Sequence, residues 1–298
     1  MFDAAGAVNK TWRVYSLSPL FNFVYEERAF KKYGQLLSAY LEAESQRGFA
    51  MELEATSKTF RARFTVVKGI TSFRSDSHSV EVTVQKTTTN AAIKSKTKDP
   101  PVLVALLCSV GREGDETAEP ALKNSFTSLP VCLVKGPAAI GTCLASWLEK
   151  QFDCRMSYMN FSPMELGWFA ALWAGVSSEN HSKPVQLCYA LPTSVKGLRH
   201  ITVDIDGKNA QHLWKCVHNN NSDVFTESEA EVFLKAVEVH FYQHFKIDLS
   251  TIHLTRVGTS VALVGSDGRL KILRSDYLQH ILQQIMQTAI SREQLGRL

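Results

Sequence analysis

The chain has 298 residues, of which 45% are hydrophobic, and a formal net charge of +4. This composition is typical of a globular protein with one large or two medium domains and argues against disorder throughout. The longest apolar runs, 101–110 and 167–176, are half of the roughly 20 residues that a bilayer-spanning helix needs, so we expect no membrane segment. Six cysteines without a C-x-x-C pair, and a start unlike a secretory signal, favour an intracellular protein with reduced thiols.

Positive charge is concentrated in residues 58–98. This segment holds nine basic and two acidic residues, a net charge of +7, so the remainder of the +4 chain carries −3. Such a block favours a polyanionic partner through phosphate contacts. A solvated sheet face followed by a lysine-rich loop explains the charge equally well. The candidate DNA contacts are Arg61, Arg63, Lys68, Arg74, Lys94, Lys96 and Lys98.

The first half of the chain reads as strands around one long helix. A strand is predicted at 11–17 and a helix over 27–46, where apolar residues recur every three or four positions. Period-two patterns then predict strands at 49–55, 59–67 and 79–86. In the middle strand, alternation places Arg61 and Arg63 together on the wet face. Two polar segments, 87–101 and 111–125, are predicted to be surface loops.

The second half mixes helices and strands. Helical patterns cover 137–151, a segment starting at Ser162, 206–217, a segment starting at Thr226 and a last helix from Asp276; extended patterns cover 154–161, 185–191, 200–205 and a hairpin at 255–273. Ser162 and Thr226 each open a capping box. We therefore predict a mixed α/β (α+β) fold of largely antiparallel twisted sheets flanked by helices. We further predict that residues 1–10 are flexible and that the rest of the chain forms two intimately packed halves, 11–135 and 136–298.

The sequence offers little support for catalysis. It has neither a phosphate-binding G-x-x-x-x-G-K-[ST] loop nor a strand followed by G-x-G-x-x-G. Asp204 and Asp206 could form a metal-binding pair, but Asp206 is better placed to cap the following helix. His240 and His244 have the spacing of zinc ligands on a helix, yet Phe241 stands where a zinc protease needs its glutamate. A packed or interfacial role for both histidines is favoured, and we predict no catalytic residue, no metal and no cofactor.

Three longer stretches carry a resemblance to a known family. The segments "WRVYSLSPLFNFVY" at 12–25, "FDCRMSYMNFSPMELGWFAALWAG" at 152–175 and "HFYQHFKIDLSTIHLTRVGTSVALVGSDGRLKIL" at 240–273 closely resemble centromere protein L of vertebrates. The resemblance implies a non-enzymatic subunit of the constitutive inner-kinetochore network, with a fold similar to that of a bacterial DNA-binding recombination-associated protein. Family members usually carry a long polar N-terminal extension, whereas this sequence starts shortly before Trp12.

The resemblance also implies partners and a place in the cell. We expect a heterodimer with centromere protein N, further inner-kinetochore subunits, centromeric nucleosomes and DNA as partners, in the nucleus at the centromere, without a membrane or a small-molecule substrate. An apolar hairpin with an open edge could accept strands from another chain. Its candidate partner-binding residues are Arg256, Val257, Thr259, Val261, Leu263, Leu270 and Ile272. An internal hairpin with covered edges remains the alternative, and a metal-dependent nuclease or a free-standing DNA-binding protein is the rival function.

Overall fold

A computed structural model describes residues 4–47, 58–70, 76–88, 100–110, 125–176, 183–218 and 225–295. The chain divides into two compact units. The first comprises Met1–Ala7, Trp12–Tyr158 and Ile285–Leu298, and the second comprises Val8–Thr11 and Met159–Gln284. None of the described helices is long and apolar enough to span a membrane.

The first unit is built around an antiparallel sheet. Its helices are α1 (Ala4–Ala7), α2 (Glu27–Gln46) and α3 (Ala138–Phe152); its strands are β1 (Thr11–Leu17), β2 (Leu20–Phe21), β3 (Lys58–Val67), β4 (Ser79–Thr88), β5 (Leu103–Cys108), β6 (Phe126–Thr127), β7 (Val131–Lys135) and β8 (Met156–Tyr158). The strand order is β8-β1-β7-β5-β4-β3, and β2 pairs separately with β6. After β7, α3 contacts α2 and β8 pairs with β1 in this unit, and the division into halves 11–135 and 136–298 stays a prediction.

The helix α2 covers one face of this sheet. Its buried stripe of Phe30, Tyr33, Leu37 and Leu41 has the predicted three-to-four spacing. The core it joins is rich in aromatic rings; Tyr33, for example, packs edge-on against Phe64 and Phe152. The predicted helix over 27–46 is therefore confirmed, and its apolar spacing is the reason it packs here. The predicted strand at 49–55 lies outside the described residues.

The second unit has a sheet with the strand order β10-β9-β11-β12-β13. Its strands are β9 (Val185–Ala190), β10 (His200–Ile205), β11 (His253–Gly258), β12 (Ala262–Gly265) and β13 (Arg269–Ile272); its helices are α4 (Pro163–Val176), α5 (Gly207–Val217), α6 (Glu227–Phe245) and the start of α7 (Leu278–Leu295). Each pair from β10 to β13 is antiparallel. The mixed fold with a large antiparallel sheet and flanking helices confirms the predicted class.

Helix α4 lies at the centre of the second unit. It begins with the predicted capping box, in which the Glu165 amide donates to Ser162 Oγ at 3.2 Å and the Ser162 amide donates to the Glu165 carboxylate at 2.7 Å. It is apolar around its girth and contacts α5, α6 and β11. A side chain at Gly175 would overlap the indole of Trp214 in α5, so this glycine allows close helix packing.

The hairpin predicted at 255–273 is a three-stranded meander. Thr259 interrupts the expected long first strand, because its hydroxyl oxygen accepts hydrogen bonds from the amides of Val261 and Ala262, both at 3.2 Å. The chain therefore turns twice, once after β11 and once at the predicted Asp267-Gly268. Gly268 has φ of 68°, a left-handed conformation that glycine adopts without steric cost.

Candidate interaction surfaces

The two residue pairs that suggested metal chemistry belong to no group of three or more potential metal ligands among the described residues. Asp206 caps α5, with its carboxylate accepting from the amides of Lys208 at 3.0 Å and Asn209 at 3.3 Å, as the sequence favoured. His240 and His244 lie 4.6 Å apart between ring centroids on α6, and both are exposed. Within the described parts of the chain, no group of three or more potential ligands could hold a metal ion.

The exposure of His240 and His244 corrects the prediction that they are packed. Phe233 and Val237 on the same helix are buried, as their spacing predicted, but α6 continues past them into two turns that are largely accessible. The apolar periodicity of α6 does not reveal that the helix extends beyond the elements against which it packs. An interfacial role for the two histidines stays a prediction.

Two cysteines of the first unit are buried and chemically quiet. Burial raises the pKa of the Cys108 thiol to about 12, and burial, ahead of nearby thiols, raises the pKa of Cys132. Both thiols are therefore protonated at neutral pH, and neither can serve as a nucleophile. Cys132 belongs to the aromatic-rich core of this unit, whereas Cys108 is buried outside that cluster.

The predicted basic face is present on β3. Phe60, Ala62 and Phe64 are buried, whereas Arg61 and Arg63 are exposed on the opposite face, and Lys68 is exposed just beyond the strand. This is the alternation that the sequence predicted. The other candidate DNA contacts, Arg74, Lys94, Lys96 and Lys98, lie outside the described residues.

The outer edge of β3 is covered by side chains of α2. The Ala62 amide donates to Ser38 Oγ at 2.8 Å, and the Phe60 amide donates to Glu42 Oε1 at 3.3 Å. The Ser38 hydroxyl in turn donates to the Gly34 carbonyl at 2.7 Å. Two backbone donors that would otherwise be available to another strand are therefore satisfied within the unit. Sequence analysis missed this arrangement, because it joins residues far apart in the chain.

The residues predicted to bind a partner at 255–273 divide into two groups. Val257, Thr259, Val261, Leu270 and Ile272 are buried, while Arg256 is exposed and Leu263 is half-exposed. The expected open edge is wrong for β11, which pairs with β9, and the Asn9 amide donates to the Ile272 carbonyl of β13 at 2.8 Å. The alternative of an internal hairpin fits this part of the unit. Partner binding through Arg256 and Leu263 stays a prediction.

Arg256 and Leu263 belong to an accessible face of the second sheet. Arg256 lies opposite Cys188, which lies opposite Thr202, so these three side chains point to one face. Leu263 joins the same face, because it lies opposite Gly258, two residues beyond Arg256. Along this face the side chains are exposed or half-exposed, whereas alternate residues such as Val257 are buried. We call this the open face, defined by Gln186, Cys188, Thr202, Asp204, Arg256 and Leu263.

The outer edge of β10 is the unpaired strand edge of this sheet among the described residues. The Leu191 amide donates to the Arg199 carbonyl at 2.9 Å, and the same register pairs Tyr189 with Ile201 and Leu187 with Val203. Antiparallel strands alternate between bonded and non-bonded pairs, so Ile201 and Val203 turn their backbone groups toward β9. The backbone groups of His200, Thr202 and Asp204 therefore point outward. The outer edge of β10 thus has the free backbone geometry for strand pairing that the sequence analysis expected of the hairpin.

Comparisons with known proteins agree with this architecture and with the resemblance in the sequence. The family described as centromere protein L matches residues 7–290. Centromere protein L of Homo sapiens and that of Bos taurus are each 31% identical over 284 residues, covering 95% of this chain and 79% of the relative. Centromere protein L of Xenopus tropicalis is 30% identical over 287 residues, covering 96% of this chain and 80% of the relative. This chain therefore belongs to the centromere protein L family and is a centromere protein.

Proposed function

We propose that this protein is a non-enzymatic subunit of the inner kinetochore that heterodimerises with centromere protein N. Together the two would help to assemble the constitutive centromere-associated network on nucleosomes with the centromeric histone H3 variant, in the nucleus, in support of chromosome segregation. Membership of the centromere protein L family supports the location. The unpaired edge of β10 is the observation that carries the heterodimer, because an exposed strand edge is a template for pairing with another chain.

We infer a mode of partner binding from the edge and the open face together. A partner strand hydrogen-bonds to the outward backbone groups of His200, Thr202 and Asp204. These backbone hydrogen bonds provide affinity that does not depend on side-chain identity. The adjoining part of the partner lies across the open face, where Arg256 and Leu263 contribute side-chain contacts. The five buried hairpin residues contribute to binding indirectly, because their packing fixes the positions of β11, β12 and β13.

A proline at Thr202 tests the strand pairing. Thr202→Pro removes one outward amide donor while leaving the β9 hydrogen bonds intact, because the backbone groups of Thr202 face away from that strand. We expect affinity for centromere protein N, measured by isothermal titration calorimetry, to fall at least tenfold. Thr202→Ala removes the same side chain but keeps the amide, and it should bind within about twofold of the wild type. Unchanged affinity of the proline variant in a folded protein would refute the edge as the interface.

Leu263→Glu tests the part played by the open face. The substitution puts a charge on the half-exposed side chain without entering the helix-covered face. We expect weaker heterodimer formation in size-exclusion chromatography with an unchanged melting curve. Val232→Glu is the control for charge alone, since Val232 is an exposed apolar residue on α6, outside the open face, and the change in net charge is identical. If Leu263→Glu pairs as well as the wild type, the partner does not cover this face.

The basic face of β3 is proposed to contact DNA. Arg61, Arg63 and Lys68 are exposed together, which supports phosphate contact, and Arg74, Lys94, Lys96 and Lys98 extend the proposal. Reversing both Arg61 and Arg63 to Glu should weaken binding of a 20-base-pair duplex. It should also lower the salt dependence, with the slope of log K against log salt falling by about 1.8 for two lost phosphate contacts.

Reversal of Lys31 and Lys32 to Glu is the matched control for the DNA experiment. Both lysines are exposed on α2 in the same unit, and the change in net charge is identical. We expect this control to retain most of the affinity and the wild-type salt slope. Equal losses in the two double variants would mean that overall charge, and not the β3 face, determines DNA binding.

A further inference from the structure

A second surface of the second unit carries exposed apolar side chains. At the end of α6 and just beyond it, Tyr242, Phe245 and Ile247 are exposed, with Phe245 at 63%. In the loop between β9 and β10, Val195 and Leu198 are exposed as well, at 44% and 50%. Side chains of this size are normally covered in a monomer when they occur together, so their concentration marks an interaction site.

The strand register brings these two segments to the same end of the sheet. Ala190, the last residue of β9, lies opposite both His200 at the start of β10 and His253 at the start of β11. Neighbouring strands are about 4.8 Å apart, so the loop and the start of β11 emerge side by side. The helix α6 ends only a few residues before β11, with a short 3-10 turn at Leu249–Thr251 between them. We call this combined area the α6-tip surface: Val195, Leu198, Tyr242, Phe245 and Ile247.

The charges within the two segments that form the α6-tip surface are all positive. Neither 191–200 nor 239–247 contains an acidic residue, whereas Lys196, Arg199 and Lys246 are exposed there. The ammonium of Lys246 lies 5.6 Å from the centre of the Tyr242 ring, so it borders the apolar side chains directly. The next acid along the chain, Asp248, accepts from the Ser250 amide at 3.0 Å and caps the 3-10 turn. The surface is therefore apolar, with a rim of three cations against one carboxylate, that of Asp248.

This combination selects the kind of partner. A second copy of the chain would bring cationic rim against cationic rim, which disfavours self-association. A nucleic acid would neutralise the rim, but it would leave the aliphatic Val195, Leu198 and Ile247 without a matching surface. An amphipathic protein segment satisfies both requirements, because its apolar side covers the aliphatic and aromatic groups while carboxylates meet the rim.

We propose that the α6-tip surface docks an acidic amphipathic segment of a partner protein. None of the apolar side chains of this surface lies on β10, so a strand that pairs with β10 need not cover them. The apolar side of the segment packs on Tyr242, Phe245 and Ile247. Its carboxylates pair with Lys196, Arg199 and Lys246.

Fluorescence anisotropy with a designed probe tests the proposal. The probe is a fluorescein-labelled 18-residue peptide with leucine at helical i, i+3, i+4 and i+7 spacing and glutamate elsewhere. Its counterpart has lysine in place of each glutamate. We expect the full chain to bind the acidic peptide at least tenfold more tightly than the basic one. Phe245→Glu should reduce acidic-peptide binding at least tenfold, while circular dichroism melting stays unchanged because Phe245 is not in the core.

Three further variants keep the test specific. Val232→Glu lies on α6 away from its tip, at a residue 55% exposed, and should bind the acidic peptide normally. Thr202→Pro should also bind it normally, which separates this site from the strand-pairing edge. Reversing Lys196 and Lys246 to Glu should transfer the preference from the acidic to the basic peptide.

Several results would overturn the proposal. These are equal affinity for the two peptides, normal acidic-peptide binding by Phe245→Glu, or no reversal of preference in the double lysine variant. Two other ligands should be measured, a 20-nucleotide single-stranded DNA and vesicles of phosphatidylserine and phosphatidylcholine. If either binds more tightly than the acidic peptide and loses binding in Phe245→Glu, the surface belongs to that class of ligand.

Discussion

Each unit has an outer strand edge, β3 in the first and β10 in the second, and the two edges differ in whether helix side chains cover them. At β3 in the first unit, Ser38 and Glu42 of α2 accept the hydrogen bonds of the Ala62 and Phe60 amides. At β10 in the second unit, the outward backbone groups at Thr202 and its neighbours meet no strand among the described residues. A covered edge keeps a sheet from pairing indiscriminately, whereas an uncovered edge is a binding site. The contrast indicates which unit is prepared for a partner strand.

The largest expected effect comes from forcing α2 away from the β3 edge. A Cβ atom at Gly34 would lie 2.7 Å from the Ala62 carbonyl oxygen, so Gly34→Ala requires the helix to move. We expect a loss of about 1 to 3 kcal/mol in the free energy of unfolding, measured with urea. Gly141→Ala in α3 is the control, because its Cβ would meet Val134 Cγ1 at an ordinary 3.6 Å. That variant should gain up to about 1 kcal/mol from helix propensity.

Removing the covering hydroxyl should have a somewhat smaller effect. Ser38→Ala leaves the Ala62 amide without its acceptor, and a part-buried unsatisfied donor costs about 1 to 2 kcal/mol. Ser45→Ala on the same helix is the comparison, since that hydroxyl only donates to the Glu42 carbonyl at 3.0 Å. We expect it to lose no more than about 0.5 kcal/mol in urea unfolding. Equal losses would show that Ser38 does not protect the edge.

The open edge should tolerate what the covered edge does not. Thr202→Pro removes an amide that has no partner strand, so we expect a loss of about 1 kcal/mol or less in the unfolding free energy. Ala62→Pro removes an amide bonded to Ser38, and it should cost at least about 1 kcal/mol more. Thermal unfolding of the two variants side by side measures the difference. A proline that is equally costly at both strands would contradict the contrast between the edges.

The smallest effect concerns the charge of Glu238, on α6 before its exposed tip. Burial, and then the nearby Asp248, raises the pKa of this carboxyl group. A carboxyl whose folded pKa lies above the unfolded value contributes stability below the unfolded pKa and loses it as pH rises through the folded one. Glu238→Gln should therefore be more stable than the wild type at pH 7, by a few tenths of a kcal/mol because the site is partly solvated.

The pH dependence of that difference is the decisive measurement. At about pH 3 the wild-type carboxyl is protonated in both states, so the two proteins should have the same unfolding free energy. A glutamine variant that is less stable than the wild type at pH 7 would mean that the ionised carboxylate is stabilising. It would also mean that burial does not govern this group.

Local signals in the sequence predicted local structure well. The capping boxes at Ser162 and Thr226 start α4 and α6 where expected, because they depend on side chains within three residues of the helix start. The alternation around Arg61 predicted correctly which side chains of β3 are buried and which are exposed, because it also depends only on neighbouring residues. Thr259 shows the limit of such signals, since its hydroxyl turned a predicted continuous strand into a corner.

The amino-acid sequence by itself determined the family, the mixed fold class and the sides of the strands and helices that face a core, since these follow from short-range periodicity and from residue identity. Only the tertiary structure decided which strand edges are covered and which surfaces are available. Ser38 reaches Ala62, β9 fills the side of β11 expected to be open, and α6 continues past its packing partners to expose Phe245. Each of these depends on contacts between distant segments, and a period of two or 3.6 residues contains no information about which segment will be the neighbour.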